Sequence, residues 1–213
     1  MKEFINWHND ILGTKVVDAL IKNNFTAVYF QNRDEAVKHI LENISTEDSV
    51  GIGGSWTTKE LGLWDLLDDR GNTVFNHNKP GLSPEESLAL RRKQLTCDVF
   101  LTSTNAITLD GKIVNVDGAG NRVAAMIFGP KKAIVVVGIN KIAKDTADAE
   151  QRIKMYAAPI NNKRLNRNNP CTVTGQCMDC QRPSRICNVT TVMHKKPFAI
   201  DFHVVVIGEN LGF

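Results

Sequence analysis

The sequence predicts an α/β protein with a mainly parallel sheet covered by helices on both faces. Short apolar segments typical of strands alternate with segments whose apolar residues recur at helical spacing. The segments "AIVVVGI" and "HVVVIG" are continuously apolar, as expected for strands that are buried on both sides of a parallel sheet. With 213 residues, 42% of them hydrophobic, the chain is long enough to bury a core of its own. We therefore predict a single α/β domain over residues 1–213.

In the first half of the chain, helices and strands alternate from the start. Helical spacing covers residues 3–24, with an interruption near Gly13, and strand-like or helical segments then follow in turn at 26–30 (strand), 33–44 (helix), 49–55 (strand), 56–67 (helix), 72–76 (strand) and 83–95 (helix). Ser83 fits the N-cap of the helix at 83–95, because Pro84 takes its first position and acids occupy its first turn.

The second half continues the alternation and adds a hairpin. Residues 97–116 predict a strand that enters a hairpin with Asp110 and Gly111 at its turn. The remaining predicted elements are a glycine-rich loop opening a helix (117–128), a buried strand (132–140), a helix that stops at Pro159 (145–159) and a final strand (201–209). A cysteine-rich excursion of about 160–200 lies between the last helix and the last strand.

Charge and hydropathy exclude several classes of partner. The formal net charge of +3 is too small to indicate binding to nucleic acid or to an acidic membrane surface. The longest apolar runs are far shorter than the roughly 20 residues of a membrane span. The N-terminal segment "MKEFINWHND" lacks the apolar core of an export signal. We therefore expect a cytoplasmic protein, in a compartment where structural disulfides are uncommon.

The segment "GIGGS", residues 51–55, is the first of two glycine-rich junctions. Gly53 and Gly54 follow a predicted strand, and Ser55 precedes a predicted helix. Backbone N–H groups can converge on an anion in such a turn, which lies at the carboxyl edge of an α/β sheet where ligands usually bind. The spacing fits neither the dinucleotide fingerprint nor the P-loop, and a tight turn that needs glycine for its conformation explains the same letters.

The second junction, "DGAGNR" at residues 117–122, follows the predicted hairpin. Arg122 could bind a carboxylate or phosphate, with Asn121 beside it, or it could pair internally with Asp117. Asn105, at the start of the hairpin, adds an amide that could orient a ligand. We predict that both junctions face one crevice and contact one small anionic substrate.

No catalytic residue is identified from the sequence. Nothing in it resembles a nucleophile elbow, a zinc-protease helix or a kinase signature. His77 follows a predicted strand and could face the same crevice, although a surface or core role explains it equally well. Trp56, directly after the first junction, is either a packing residue or a surface on which a ligand stacks.

Four of the five cysteines lie together in "CTVTGQCMDCQRPSRIC". Their spacings of five, two and six residues allow one short loop to wrap around a metal site with ligands Cys171, Cys177, Cys180 and Cys187. All-sulfur ligation suits zinc or an iron–sulfur cluster, although structural zinc sites usually have two short-spaced pairs and this segment has one. Disulfides or free thiols are the third alternative. Cys97 precedes a buried strand and is predicted to be a core residue.

The segments "STNAITLDGKIVNVDGAGNRVAAMIFGPKKAIVVVGINKI", "AAPINNKRL" and "CTVTGQCMDCQRPSRICN" resemble the LUD-domain family, named for bacterial lactate utilization. The resemblance implies a fold similar to ribose-phosphate isomerases, glucosamine-phosphate deaminases and CoA transferases. In those relatives a glycine turn like "GIGGS" and the loop after the hairpin flank the ligand site. Lactate-utilization members are subunits of an iron–sulfur oxidoreductase system that converts L-lactate to pyruvate.

The resemblance favours an iron–sulfur cluster, a [4Fe–4S] cluster in particular, on the four cysteines. It implies a redox protein that binds or oxidises a small carboxylate, alone or as an oxidoreductase subunit, with a redox partner protein or as a homo-oligomer. Two other functions stay open: a CoA- or phosphosugar-directed enzyme with a structural zinc site, and a non-catalytic ligand-binding module. The chain departs from the lactate-utilization members in that its sequence predicts no separate ferredoxin-like domain.

Overall fold

The computed structural model describes residues 1–213, and a six-stranded parallel sheet forms its centre. Its strands are β1 (Thr26–Phe30), β2 (Ser49–Ile52), β3 (Thr73–Asn76), β4 (Val99–Thr102), β7 (Lys132–Gly138) and β10 (Asp201–Ile207). Their order is β1-β10-β7-β4-β2-β3, and every neighbouring pair is parallel. The predicted mainly parallel sheet is confirmed, and all six strands end at the same edge.

A smaller, four-stranded sheet was not predicted. It contains β5 (Ala106–Thr108), β6 (Ile113–Asp117), β8 (Ile142–Ala143) and β9 (Val189–Met193), in the order β8-β5-β6-β9. β5 and β6 form the predicted hairpin, with Gly111 in a left-handed conformation at its turn. β9 pairs antiparallel with β6, which brings the end of the cysteine segment beside Asp117. The strand pattern of β9 is hidden in the sequence because its first two residues, Val189 and Thr190, are exposed and two threonines interrupt its apolar residues.

Helices cover both faces of the main sheet. They are α1 (Lys2–Lys22), α2 (Arg33–Glu42), α3 (Trp56–Glu60), α4 (Leu63–Asp69), α5 (Pro84–Lys93), α6 (Asn121–Ile127), α7 (Thr146–Arg152), α8 (Ala158–Arg164) and α9 (Cys171–Thr174). On one face, Leu20 of α1 and Met126 of α6 pack with Phe202 of the sheet. On the other face, α2 and α4 supply Ile40 and Leu67. None of the helices combines the length and the apolar character of a membrane span.

Two details of the predicted helices are wrong. Gly13 does not interrupt the first helix, because α1 runs without a break and the glycine allows close packing: a Cβ atom there would lie 2.3 Å from the ring of Tyr29. Pro159 does not end the helix after residue 145. A π turn, Ile153–Ala157, joins α7 to α8, so the helix continues past Pro159, which lies at the start of α8 directly after the π turn.

Cys97 is a core residue, as predicted. It is 2% exposed and packs in the core beneath α1 and α6. Its Sγ atom lies 2.9 Å from the place a Cβ atom would take on Gly51, so the glycine and the thiol fill adjoining space. Burial raises the pKa of this thiol to about 11, which keeps it protonated and unreactive.

Candidate functional site

A cavity of about 400 Å³ opens at the carboxyl edge of the main sheet. The segments that follow β2, β3, β4 and β6 line it, which is where ligands bind in open α/β sheets. The structure brings all seven predicted ligand-site residues to this cavity: Gly53, Gly54, Ser55, Asn105, Asp117, Asn121 and Arg122. The two glycine-rich junctions therefore face one crevice.

Arg122 is bonded mainly to its own protein. Its guanidinium donates to Oδ1 of Asn115 and Oδ1 of Asn105, both at 3.0 Å, and to the carbonyl of Val116 at 2.6 Å. It also pairs with Asp117 at 3.4 Å. Of the two roles predicted for Arg122, ligand contact and internal pairing, internal pairing uses nearly all of its N–H groups. Arg122 holds the hairpin against α6 and adds its charge to the cavity wall.

The first junction combines packing constraints with free donors. A Cβ atom on Gly53 would lie 2.4 Å from Oγ1 of Thr102, and Gly54 has a φ of 70°, so both positions require glycine for structural reasons. Ser55 caps α3 by accepting from the N–H of Thr58 at 3.3 Å. The N–H groups of Gly54 and Ser55 have no acceptor within the protein. Two backbone donors are thus available beside the cavity.

The cavity wall is strongly cationic. Six basic side chains line it, against a single acid, Asp117; the six are Arg91, Arg122, Lys141, Arg164, Arg167 and Arg185. Only Arg122 and Arg185 of these six form ion pairs with a carboxylate. Nε of Arg91 is buried without any hydrogen-bond partner. Uncompensated cations around a concave site are the electrostatic complement of an anionic ligand.

Aromatic side chains hold one of these cations in place. The guanidinium of Arg164 lies 5.7 Å from the ring centre of Trp56 and 6.0 Å from that of Phe213. Nε and one terminal nitrogen of Arg164 donate to Oδ1 of Asn161 at 3.0 and 2.8 Å. Burial lowers the pKa of Arg164. Trp56 therefore orients a cationic donor at the cavity wall, while its own N–H donates to Glu60 at 2.7 Å.

His77 lines the same cavity as a neutral ring. Its Nδ1 lies 2.9 Å from Nε2 of Gln94, which also donates to the carbonyls of Ile52 and Phe75. The two N–H groups of that amide are shared among the three acceptors, and only the tautomer with Nδ1 unprotonated and the proton on Nε2 avoids an N–H group facing another N–H group. Burial and the charge of Arg91 lower the pKa of His77 to about 4. His77 can donate one hydrogen bond from Nε2 at neutral pH.

Lys141 is the most deeply buried basic side chain of the cavity. It ends the 3₁₀ turn Ile139–Lys141 after β7 and is 4% exposed. Its Nζ donates to Oγ1 of Thr57 at 2.8 Å and to Oγ of Ser103 at 3.0 Å. Burial, followed by the charges of Arg152 and Arg122, lowers the pKa of the amine to about 7. A substantial fraction of Lys141 is therefore neutral at physiological pH.

The four clustered cysteines line a second, much smaller cavity, of about 20 Å³. Cys171 is buried at the start of α9, and the other three are half-buried on the irregular segment that follows. The N–H of Cys177 donates to the carbonyl of Lys154 in the π turn at 2.8 Å. All four thiols are free. The four predicted ligands therefore line one small cavity.

The two cavities share a wall made of Arg185 and Ile186. Arg185 donates to the carbonyls of Cys180 and Cys187 at 2.7 and 3.0 Å and pairs with Asp179 at 2.8 Å. Its guanidinium therefore fixes both ends of the segment that carries the last two cysteines, next to the cationic cavity.

Comparison with known proteins decides the family. The sequence profile of the LUD domain matches residues 13–207. The chain belongs to the LUD-domain family, which is related to lactate utilization. A crystal structure of a DUF162 family protein from Deinococcus radiodurans, at 1.70 Å resolution, is similar with a TM-score of 0.53 and 12% identity over 93% of this chain and 97% of that one. At that identity the likeness shows the fold alone. No curated protein matches the chain.

Sequence reasoning missed several residues that line the cavity of this LUD domain. Lys141 lies directly after the predicted buried strand at 132–140, and Arg91 lies on a helix without buried residues. Arg164 and Arg167 follow a proline that was expected to end the preceding helix. One signal was present: five basic residues, Lys163, Arg164, Arg167, Arg182 and Arg185, flank or fall within the cysteine segment.

The four clustered cysteines match either an iron–sulfur cluster or a zinc site in number and donor type. No three metal-ligating side chains are grouped closely enough to coordinate one ion. A zinc ion with Zn–S bonds of about 2.3 Å requires sulfurs about 3.8 Å apart. A [4Fe–4S] cluster binds each thiolate through a different iron atom, so its ligands are further apart. Burial raises the pKa of the Cys187 thiol to about 11, and the neighbouring Cys177 thiol adds to this effect. A bound metal cation would act in the opposite direction.

Proposed function

We propose that this LUD-domain protein binds a small organic anion, a carboxylate of the lactate class, in the cationic cavity. Cys171, Cys177, Cys180 and Cys187 would hold a [4Fe–4S] cluster, which would supply one-electron transfer beside that ligand, so that the chain would act as an oxidoreductase component together with a redox partner. The observation that carries the proposal is the shared wall: Arg185 and Ile186 separate the cysteine cavity from the cationic cavity. A wall one residue thick leaves only a short distance for electron transfer between the two cavities.

The charge balance supports an anionic ligand. Arg91, Arg164 and Arg167 lack carboxylate partners, and each can form a charge-assisted hydrogen bond worth about 1.5–3 kcal/mol. The free N–H groups of Gly54 and Ser55 add two further donors. Asp117, the single acid in the wall, is already paired with Arg122. A volume of about 400 Å³ suits a small metabolite.

The structure of the cysteine segment is consistent with loading of a cluster from the solvent side. Residues 176–183 have no helix or strand, and three of the four cysteines are half-exposed. The present space of about 20 Å³ holds little more than one water molecule, so we expect this segment to open outward as the cluster is loaded. Arg185 would offset part of the negative charge of four thiolates. When bound, the cluster supplies reversible one-electron transfer.

The test is purification without oxygen, followed by iron, zinc and sulfide analysis and electron paramagnetic resonance. We expect about four irons and four sulfides per chain, a brown colour, and a spectrum of the reduced protein that shifts when L-lactate or pyruvate is added. Cys180→Ala should lose the iron, and Cys97→Ala is the matched control that should keep it. Stoichiometric zinc without sulfide would refute the cluster and favour the enzyme with a structural zinc site. If neither L-lactate nor pyruvate changes the spectrum, the proposed link between the two cavities is refuted.

A further inference from the structure

Lys141 occupies an unusual position for a lysine. Its Nζ is buried, faces the anion cavity and is held by two hydroxyl groups, those of Thr57 and Ser103. No carboxylate lies within ion-pair distance of it. A lysine that only stabilised the fold would need such a partner, because an unpaired buried ammonium is costly. The site instead stabilises a neutral amine.

The surroundings of Lys141 keep the amine neutral and correctly placed. The charged groups that act on it are Arg152 and Arg122, which disfavour its protonation, and Glu60, which has the smaller, opposite effect. Arg152 itself is fixed by the carbonyls of Asn105 and Asn140 at 2.8 and 3.0 Å. Desolvation and a neighbouring cation are the two conditions that turn a lysine into a nucleophile toward carbonyl compounds.

We propose that Lys141 is a nucleophile that forms an imine with the carbonyl carbon of a bound 2-oxo acid. This inference rests on the anion-binding part of the proposed function, because the unpaired arginines of the cavity would hold the carboxylate of the ligand. The ligand class follows from the two requirements together: a small anion that carries a carbonyl group. A hydroxy acid would occupy the cavity without reacting.

The chemistry balances without an oxidant or reductant. The lone pair of Nζ forms a bond to C2 of the 2-oxo acid, and the electrons of the C=O bond move to oxygen, which takes a proton. The resulting carbinolamine loses its hydroxyl group as water, and nitrogen and C2 form a double bond. Amine and ketone thus give imine and water. Ser103, whose Oγ lies 3.0 Å from Nζ, is placed to pass protons between nitrogen and oxygen during these steps.

The experiment is borohydride trapping. The anaerobically prepared protein is incubated with pyruvate, reduced with sodium borohydride and mapped by peptide mass spectrometry. We expect one stable adduct per chain, on Lys141, with a formation rate that rises through a pH of about 7. Excess L-lactate should suppress the adduct by competing for the cavity. Ser103→Ala should slow trapping and leave its site unchanged.

Two variants control for folding and for charge. Lys141→Arg keeps a cation in the cavity and cannot form an imine, so it should bind L-lactate in calorimetry yet give no adduct. Lys132→Met removes a half-buried lysine of the main sheet, outside the cavity, and should leave the adduct unchanged. Lactate and pyruvate binding without an adduct, or an adduct spread over surface lysines, would overturn this inference alone. Absence of both binding and adduct would overturn the proposed function as well.

Discussion

Arg122→Met tests whether this arginine holds the hairpin. The guanidinium makes three well-formed hydrogen bonds, to Asn115, Asn105 and Val116. In the Arg122→Met variant the two asparagine oxygens still have hydrogen-bond donors. Oδ1 of Asn115 accepts from the hydroxyl of Thr104, and Oδ1 of Asn105 accepts from the N–H of Val116. We therefore assign each lost bond only about 1 kcal/mol. The free energy of unfolding should fall by about 3 kcal/mol, a large share of the 5–15 kcal/mol typical of a domain.

Urea unfolding followed by circular dichroism measures this loss. With an m-value of about 2 kcal/mol/M, the midpoint should fall by about 1.5 M. Arg91→Met is the matched control, because Arg91 lines the same cavity and makes no hydrogen bond. It should cost less than about 1 kcal/mol of stability but weaken anion binding about tenfold, through loss of one ligand contact. Equal stability of the two variants would refute the internal role of Arg122.

Three further predictions concern the thiols and the buried lysine. Cys97→Ala should cost about 1–2 kcal/mol by urea unfolding, from a small cavity in the core, and leave the iron content unchanged; loss of iron would show that Cys97 is a ligand. Cys177→Ser should abolish iron loading while the far-ultraviolet circular dichroism of the apo-protein stays that of the wild type; retained iron would remove Cys177 from the ligand set. Lys141 has a pKa of about 7 in the folded protein and a higher, ordinary pKa when unfolded, so the unfolded state binds more protons above pH 7 and stability should rise with pH. Between pH 7 and about 8.5 the wild type should gain up to about 1.4 kcal/mol per pH unit relative to Lys141→Met, and parallel profiles would contradict the assignment.

The sequence was sufficient for the elements whose signals are local. The continuous apolar runs of β7 and β10, the spacing of Ala36 and Ile40 in α2, and the capping box at Ser83 all depend on neighbours a few residues away. The carboxyl edge of the sheet follows from the same alternation, because parallel strands must end together. For that reason the two glycine-rich junctions could be placed on one crevice without coordinates.

The tertiary structure decided what depends on distant parts of the chain. Lys141 is a buried amine only because Thr57 and Ser103, 84 and 38 residues away in sequence, close around it. Arg122 is an internal group because Asn105 and Asn115 reach it from the hairpin. The cysteine segment borders the anion cavity because β9 pairs with β6. Burial and charge are properties of all atoms within a few ångströms, whatever their position in the sequence, and they set which side chains titrate, pair or bind.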